Sequence, residues 1–189
     1  MPGMPNPDPF SVFLHATSYW RAASTLTRGL KLPYPYTMPM FVLEAFALEL
    51  HLKCLLRLRG QLIDPTHEPV ELFAKLTPAD QQLVISKAKR SQADTDSVDV
   101  QAALIRSTGV FKKLRYLYEG HDWKVEDGMA GNVGVYETII GIRLTILDAN
   151  PKWKEDYKRI LGDDGSDDTT HMPESLNAIT ILQIVPPST

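Results

Sequence analysis

One stretch, from Thr37 to Gly60, constrains the fold more than any other because its start, its interior and its end all predict one helix. Thr37 is a residue type that caps a first turn, and Pro39 falls near the first helical positions, where a missing N–H costs nothing. Gly60 suits the left-handed conformation that often ends a helix. Apolar residues cover more than half of the circumference, so we expect a central helix that is contacted on several sides.

Ionisable side chains in the middle of this helix argue against a membrane span. They are Glu44, Glu49, His51 and Lys53. Placing them in lipid would cost too much free energy, and we expect no membrane association. The stretch is therefore interpreted as the core helix of a soluble protein.

Length and composition indicate one ordinary globular domain. The chain has 189 residues, of which 43% are hydrophobic and 23% are charged. This is long enough to bury a core without disulfides. A formal net charge of −3 gives no general attraction to nucleic acid, so RNA binding would require a local basic patch.

The cysteine content and the N-terminal sequence favour a cytoplasmic location. The single cysteine, Cys54, cannot form an internal disulfide, and its place in an apolar helix predicts a small core residue. The first residues show no basic region followed by an apolar one, so no secretory signal is expected.

The rest of the chain predicts further helices and no sheet. Asp8 followed by Pro9 predicts a first helix that runs to about residue 30. The other predicted helices cover about residues 67–76, 77–89, 98–119 (with Ile105 and Thr108 on its inner face), 132–149 and 153–161. We expect an all-α fold, an antiparallel bundle of about five helices over residues 8–161. Residues 162–189 would form an acidic linker and an apolar C-terminal tail.

Three phrases occur in order along these helices. Residues 45–56 read A-x-x-L-E-L-x-L-K-x-L-L, residues 67–76 read H-x-x-x-x-L-F-x-x-L, and residues 111–119 read F-x-x-x-R-Y-x-Y-E. The ordered set resembles the HEPN superfamily, and most closely its branch with an E-L-x-L-K … H-x-L … R-Y-x-Y-E pattern. The resemblance covers roughly residues 10–150.

The HEPN resemblance implies a helical bundle that usually forms a homodimer. Many members of that superfamily are metal-independent ribonucleases, in which an arginine and a histidine four to six residues apart meet across the dimer. Here Arg115 and His121 have five residues between them, which fits that motif. The resemblance therefore suggests these two residues as a catalytic pair acting on RNA.

The two side chains have the chemistry that metal-free RNA cleavage requires. A histidine can accept the proton of the 2′-hydroxyl group, and an arginine offers a planar set of donors to two phosphate oxygens. On one continuous helix Arg115 and His121 would lie about 120° apart, since each residue turns the helix by about 100°. Only a break at Gly120 would let them converge, or let His121 meet an arginine of a second subunit. The alternative is that Arg115 pairs with Glu119 at i,i+4 and His121 is an exposed loop residue.

A basic and aromatic group surrounds this pair and is a candidate RNA-binding surface. Lysines can contact phosphates, and aromatic rings can stack on single-stranded bases. The candidate binding residues are Lys112, Tyr116, Tyr118, Glu119, Trp123 and Lys124. The alternative is that the tyrosines belong to the core or to an interface and the lysines to a solvated face.

Three further residues are predicted to form a structural network. Glu49 and Lys53 have the i,i+4 spacing and order of a helical ion pair. A partly buried Glu49 would need partners, which Lys53, Arg115 or Tyr118 could supply. His67, near a helix start, is interpreted as a capping or hydrogen-bonding residue rather than as a ligand.

A second function remains open, a non-catalytic module that dimerises and interacts within a larger assembly, such as a defence or toxin–antitoxin system. Tyr116 favours it, because active nucleases of the HEPN superfamily often carry a small polar residue after the arginine. The apolar segment 178–185 also favours it, since it could bind a protein partner. We expect no cofactor and no metal: the chain lacks paired Glu-x-x-His motifs, zinc-type Cys/His spacing and a G-x-S-x-G sequence.

Overall fold

The computed structural model describes residues 7–27, 37–61, 66–88, 98–108 and 134–163. Within these ranges the chain is all-α, with no strand, as the sequence predicted. The helices are α1 (Pro9–Thr27), α2 (Thr37–Leu58), α3 (Pro69–Ala74), α4 (Pro78–Lys87), α5 (Val100–Ser107), α6 (Val135–Ala149) and α7 (Lys152–Leu161). None of these helices is both long enough and apolar enough to cross a membrane.

Helix α2 lies at the centre of the described structure. It packs against α1, α3 and α6. Its fully buried side chains include Leu52, Cys54, Leu55 and Leu56, and at about 100° per residue Cys54 and Leu56 lie about 160° apart around the helix axis. Gly60 has a φ of 70°, the left-handed conformation expected just after the helix. The predictions of a central helix and of its end are confirmed.

Two of the predicted helix starts are capped in the expected way. Before α1, the carboxylate of Asp8 accepts a hydrogen bond of 3.0 Å from the backbone N–H of Ser11. Before α4, the hydroxyl oxygen of Thr77 accepts a hydrogen bond of 3.1 Å from the backbone N–H of Asp80. A proline follows each cap, where its missing N–H is harmless. These local signals place both starts correctly.

The prediction of one continuous helix over residues 98–119 is wrong, because the helix is interrupted after Ser107. Helix α5 ends at Ser107, and Thr108 is extended, with φ −61° and ψ 125°. The hydroxyl groups of Ser107 and Thr108 both donate to the carbonyl of Leu104, at 2.8 and 3.0 Å. The backbone N–H of Thr108 still bonds to the Leu104 carbonyl, at 3.0 Å, so the hydroxyl groups do not replace the helical bond; the low helix propensity of the β-branched Thr108 and of Gly109 after it disfavours a longer helix. The inward orientation predicted for Ile105 is also wrong, because this side chain is 58% exposed.

Helices α4 and α6 approach each other closely at Gly141. A Cβ atom added there would lie 2.6 Å from the carbonyl oxygen of Val84 and 3.0 Å from the backbone nitrogen of Ala88. Glycine is therefore required by the packing and not by the backbone conformation. Just before the start of α6, Gly134 has a φ of 84°, which only glycine adopts without strain.

Helix α7, which the sequence predicted over about residues 153–161, packs against α1 and α6. Tyr157 is fully buried, and its ring meets Phe13 of α1 edge-on with centroids 5.7 Å apart. The guanidinium of Arg21 donates hydrogen bonds to the carbonyls of Leu161 and Gly162, at 3.0 and 2.7 Å. These bonds satisfy carbonyl groups that the end of a helix leaves unpaired. The predicted tail lies, from residue 164 onward, outside the described residues.

Candidate functional site

The predicted catalytic pair cannot be placed in the structure. Arg115 and His121 lie outside the described residues, and so does Gly120, where the chain would have to bend. The same holds for every predicted binding residue: Lys112, Tyr116, Tyr118, Glu119, Trp123 and Lys124. The nuclease site remains a prediction, and only the predicted structural network falls on described residues.

That network joins α2 to the segment before α3 through one carboxylate oxygen. Oε1 of Glu49 lies 2.6 Å from Nζ of Lys53 and 2.9 Å from Nδ1 of His67. The side chain of Glu49 is only 14% exposed, and that of Lys53 15%. A carboxylate with so little contact with water requires partners, and these two residues supply them. The structure therefore contains the expected i,i+4 ion pair and adds His67 to it.

The segment that carries His67 is held by hydrogen bonds on both sides of the histidine. The hydroxyl of Thr66 donates to a carboxylate oxygen of Glu71 at 2.6 Å and accepts from the backbone N–H of Glu68 at 3.2 Å. The His67 side chain is 66% exposed, so its imidazole is fixed by Glu49 while still facing solvent. A fixed, accessible imidazole can exchange a proton or a hydrogen bond with a ligand.

A second group of polar side chains is buried where α1, α2, α6 and α7 meet. The Arg143 guanidinium lies over the ring of Trp20, with its carbon 4.2 Å from the ring centroid. The same carbon lies 5.7 Å from the centroid of Phe13 and 5.4 Å from that of Tyr157. Aromatic faces attract a cation, so these three rings stabilise the buried charge. His51 completes the group, 5.9 Å from the Phe13 centroid in an edge-on arrangement.

Burial and charge keep His51 neutral. Loss of hydration lowers the pKa of its imidazole well below the usual value, and the nearby Arg143 guanidinium lowers the pKa further. Nδ1 of His51 lies 2.7 Å from the carbonyl oxygen of Ala47, an interaction that opposes this shift. Because a carbonyl can only accept, the proton of the neutral ring is on Nδ1.

An ion pair with two-point contact connects the end of α2 to the start of α4. Arg59 donates through Nε and NH2 to Oδ1 of Asp80, at 3.0 and 2.6 Å, and the Asp80 carboxylate is nearly buried. Hydrogen bonding by Arg59 holds the pKa of Asp80 below its usual value, and the Thr77 hydroxyl adds to this effect against the opposing influence of burial. The ion pair of Arg59 and Asp80 holds α2 and α4 together, and it is far in sequence from the predicted catalytic residues Arg115 and His121.

Sequence reasoning did not identify the buried group around Arg143, although one signal was available. Arg143 lies four residues after Ile139 and three before Ile146, so helical spacing places it on the apolar face of α6. A charged residue inside such a face is rarely buried without aromatic or polar partners. This pattern alone would have indicated a buried arginine, but not which rings surround it.

Three comparisons were made with known proteins. No protein-family model, curated protein or solved structure matches the chain. Within the described ranges, no group of three or more His, Cys, Asp or Glu side chains is arranged to hold a metal ion. Any functional conclusion therefore rests on the residues of this chain.

Proposed function

We propose that this chain is a HEPN-like helical protein that acts on RNA, either as a metal-independent endoribonuclease or as an RNA-binding relative. Arg115 and His121 are the proposed catalytic residues, contributed at the interface of a homodimer. One observation carries the proposal: residues of two of the three phrases behind the resemblance are hydrogen-bonded to the same atom, Oε1 of Glu49. Glu49 and Lys53 of the first phrase are hydrogen-bonded to each other, and His67 of the second is hydrogen-bonded to Glu49.

The proposed fold is an antiparallel bundle of about five principal helices. The long helices α1 and α2, which pack closely on each other, and α6, which packs on α2, would belong to it. A cytoplasmic location is part of the proposal, since the only cysteine, Cys54, is a buried free thiol.

The proposed reaction is transfer of the RNA phosphodiester to its own 2′-oxygen. His121 accepts the proton of the 2′-hydroxyl group, and the 2′-oxygen attacks phosphorus. Arg115 donates to the phosphate oxygens, whose negative charge increases in the transition state. The bond to the 5′-oxygen breaks, the leaving oxygen takes up a proton from water, and the upstream product ends in a 2′,3′-cyclic phosphate.

The basic and aromatic residues around the pair would bind the substrate. Lys112 and Lys124 would contact phosphates, so RNA affinity should fall steeply as salt concentration rises. Tyr116, Tyr118 and Trp123 would stack on unpaired bases, which favours single-stranded RNA over a duplex.

Cleavage of single-stranded RNA in the presence of EDTA tests this proposal. Wild type should cleave, and Arg115→Ala and His121→Ala should each lose at least a hundredfold in rate. Matched controls are Arg159→Ala and His15→Ala, because both residues are exposed, on α7 and α1 respectively, and neither belongs to the proposed site. Equal, chelator-resistant cleavage by wild type and both site variants would remove the site assignment.

An RNA-binding relative without catalysis is distinguished by a second measurement. Fluorescence anisotropy with a labelled single-stranded RNA should then show binding by wild type without cleavage. Lys112→Ala and Trp123→Ala should weaken that binding, whereas Arg159→Ala should not. Absence of both binding and cleavage in the wild type would contradict the proposed function as a whole.

The non-catalytic interaction module is a second candidate because of the surface of α7. Ile160, in the last turn of this helix, is 54% exposed just before the acidic linker and the apolar segment 178–185. An exposed apolar side chain is a candidate contact for a protein partner, and so is an apolar segment of the sequence. Deleting residues 164–189 should reduce the number of subunits per particle, measured by light scattering, if the tail supports assembly. An unchanged number of subunits and an unchanged melting temperature would count against this candidate.

A further inference from the structure

His51 is held in the interior by a hydrogen bond that determines where its proton lies. The side chain is fully buried, and Nδ1 donates to the carbonyl oxygen of Ala47, 2.7 Å away. Nε2 is then an acceptor, and it has no hydrogen-bond partner in the described part of the chain. The environment suits a neutral ring and provides nothing that would accept a hydrogen bond from a second N–H.

A permanent positive charge occupies the same aromatic surroundings. The guanidinium of Arg143 and the imidazole of His51 both lie against the ring of Phe13, with 5.7 Å and 5.9 Å to its centroid. Arg143 is also buried, so water cannot screen its charge effectively. A proton added to Nε2 would therefore place a second cation in this low-dielectric interior.

We propose that His51 makes the interior of this bundle acid-sensitive: proton uptake at its Nε2, beside the Arg143 guanidinium, opens the packing of α1, α6 and α7 on α2. The imidazolium can be hydrated only when these helices separate. Because α2 is central, the opening would disturb the whole described core and any activity that depends on it.

Other ionisable side chains are also buried on α1, α2, α6 and α7. They are Arg21, Glu44, Glu137 and Tyr157. Glu71 is exposed and bonded to Thr66. Among the described residues, the charge that acts on His51 is that of Arg143, and it opposes protonation.

The direction of the pH effect follows from linkage. The folded protein keeps His51 neutral, whereas the unfolded chain takes up a proton below about pH 6.5. The stability associated with His51 is therefore fully present above about pH 6.5 and is lost as pH falls below it. Each pH unit in that range should raise the unfolding equilibrium constant about tenfold through this residue alone.

The experiment is urea unfolding between pH 7.5 and 5 for wild type, His51→Gln and His15→Gln. Glutamine can still donate to the Ala47 carbonyl and does not titrate, and His15 is an exposed histidine on α1. His51→Gln should remove the tenfold-per-unit component, and His15→Gln should keep it. Equal pH dependence of wild type and His51→Gln would overturn the proposal.

A second measurement on the wild type covers the case in which His51→Gln does not fold. Imidazole resonances followed by NMR should show that His51 stays neutral down to pH 5 in the folded protein, while amide hydrogen exchange in α1 and α6, corrected for intrinsic rates, rises as pH falls. A His51 imidazole that titrates near pH 6.5 in the folded protein, with no change in amide protection, would refute acid-induced opening.

Discussion

Gly141→Ala is the substitution that tests the close packing of α4 and α6 most directly. The added methyl group would meet the carbonyl oxygen of Val84 at 2.6 Å and the backbone nitrogen of Ala88 at 3.0 Å. Neither atom can move independently, since both belong to the backbone around the end of α4. The two helices must therefore separate by roughly 0.9 Å at Val84 to restore ordinary contact distances of about 3.5 Å.

The expected net effect of Gly141→Ala is destabilisation by about 1–2 kcal/mol. Alanine in a helix interior is favoured over glycine by about 1 kcal/mol, which taken alone would stabilise α6. Overpacking of a close contact typically costs about 1–3 kcal/mol, and this contact is at the upper end because it involves backbone atoms. Loss of apolar contact between the separated helices adds to the cost.

Urea unfolding measures this effect, and a control isolates the propensity contribution. Ala22 is exposed in the middle of α1, so Ala22→Gly should report helix propensity alone and destabilise by about 1 kcal/mol. Gly141→Val should destabilise more than Gly141→Ala, because its side chain is larger. If Gly141→Ala instead stabilises by as much as Ala22→Gly destabilises, the close approach is absent.

Three further outcomes are expected from the described contacts. Arg59→Met should lower the free energy of unfolding by about 1–2 kcal/mol at pH 7, since Asp80 loses charged hydrogen bonds and Arg59 is partly exposed. Because the folded-state pKa of Asp80 is lowered, the difference in unfolding free energy between wild type and Arg59→Met should shrink as pH falls below about 4. Urea unfolding measures this difference, and a difference that stays constant with pH would contradict the role of the pair. Burial raises the pKa of the Cys54 thiol to about 12, so a thiol reagent should label it only after unfolding; rapid labelling of the native protein would disprove its burial. Arg21→Gln should increase amide hydrogen exchange about tenfold in the last turn of α7, and unchanged exchange there would show that its carbonyl bonds are unimportant.

Local sequence signals predicted the helix starts well because the responsible atoms are close in the chain. The Asp8 and Thr77 caps each involve a backbone N–H three residues later, so the local sequence alone indicates them. Helix α5 was predicted to be too long because apolar periodicity was given more weight than the low helix propensity of Thr108 and Gly109. Such propensity differences are small in free energy, and periodicity does not capture them.

The candidate network was predictable only in part, for a related reason. The pair of Glu49 and Lys53 is four residues apart on one helix, and its spacing determines the contact. His67 reaches the same carboxylate from 18 residues away, which depends on how the segment before α3 returns to α2. The rings around Arg143 come from two further helices, α1 and α7, and no local pattern specifies such a meeting.

The most direct test of the proposed function is the chemical identity of RNA ends after incubation with the full chain in EDTA. We expect fragments whose upstream ends carry 2′,3′-cyclic phosphate, none from an RNA with 2′-deoxy substitutions, and none with His121→Ala. Fragments with other ends would contradict transfer to the 2′-oxygen. Cyclic ends formed as fast by Arg115→Ala and His121→Ala as by the wild type would show that this pair does not carry it out.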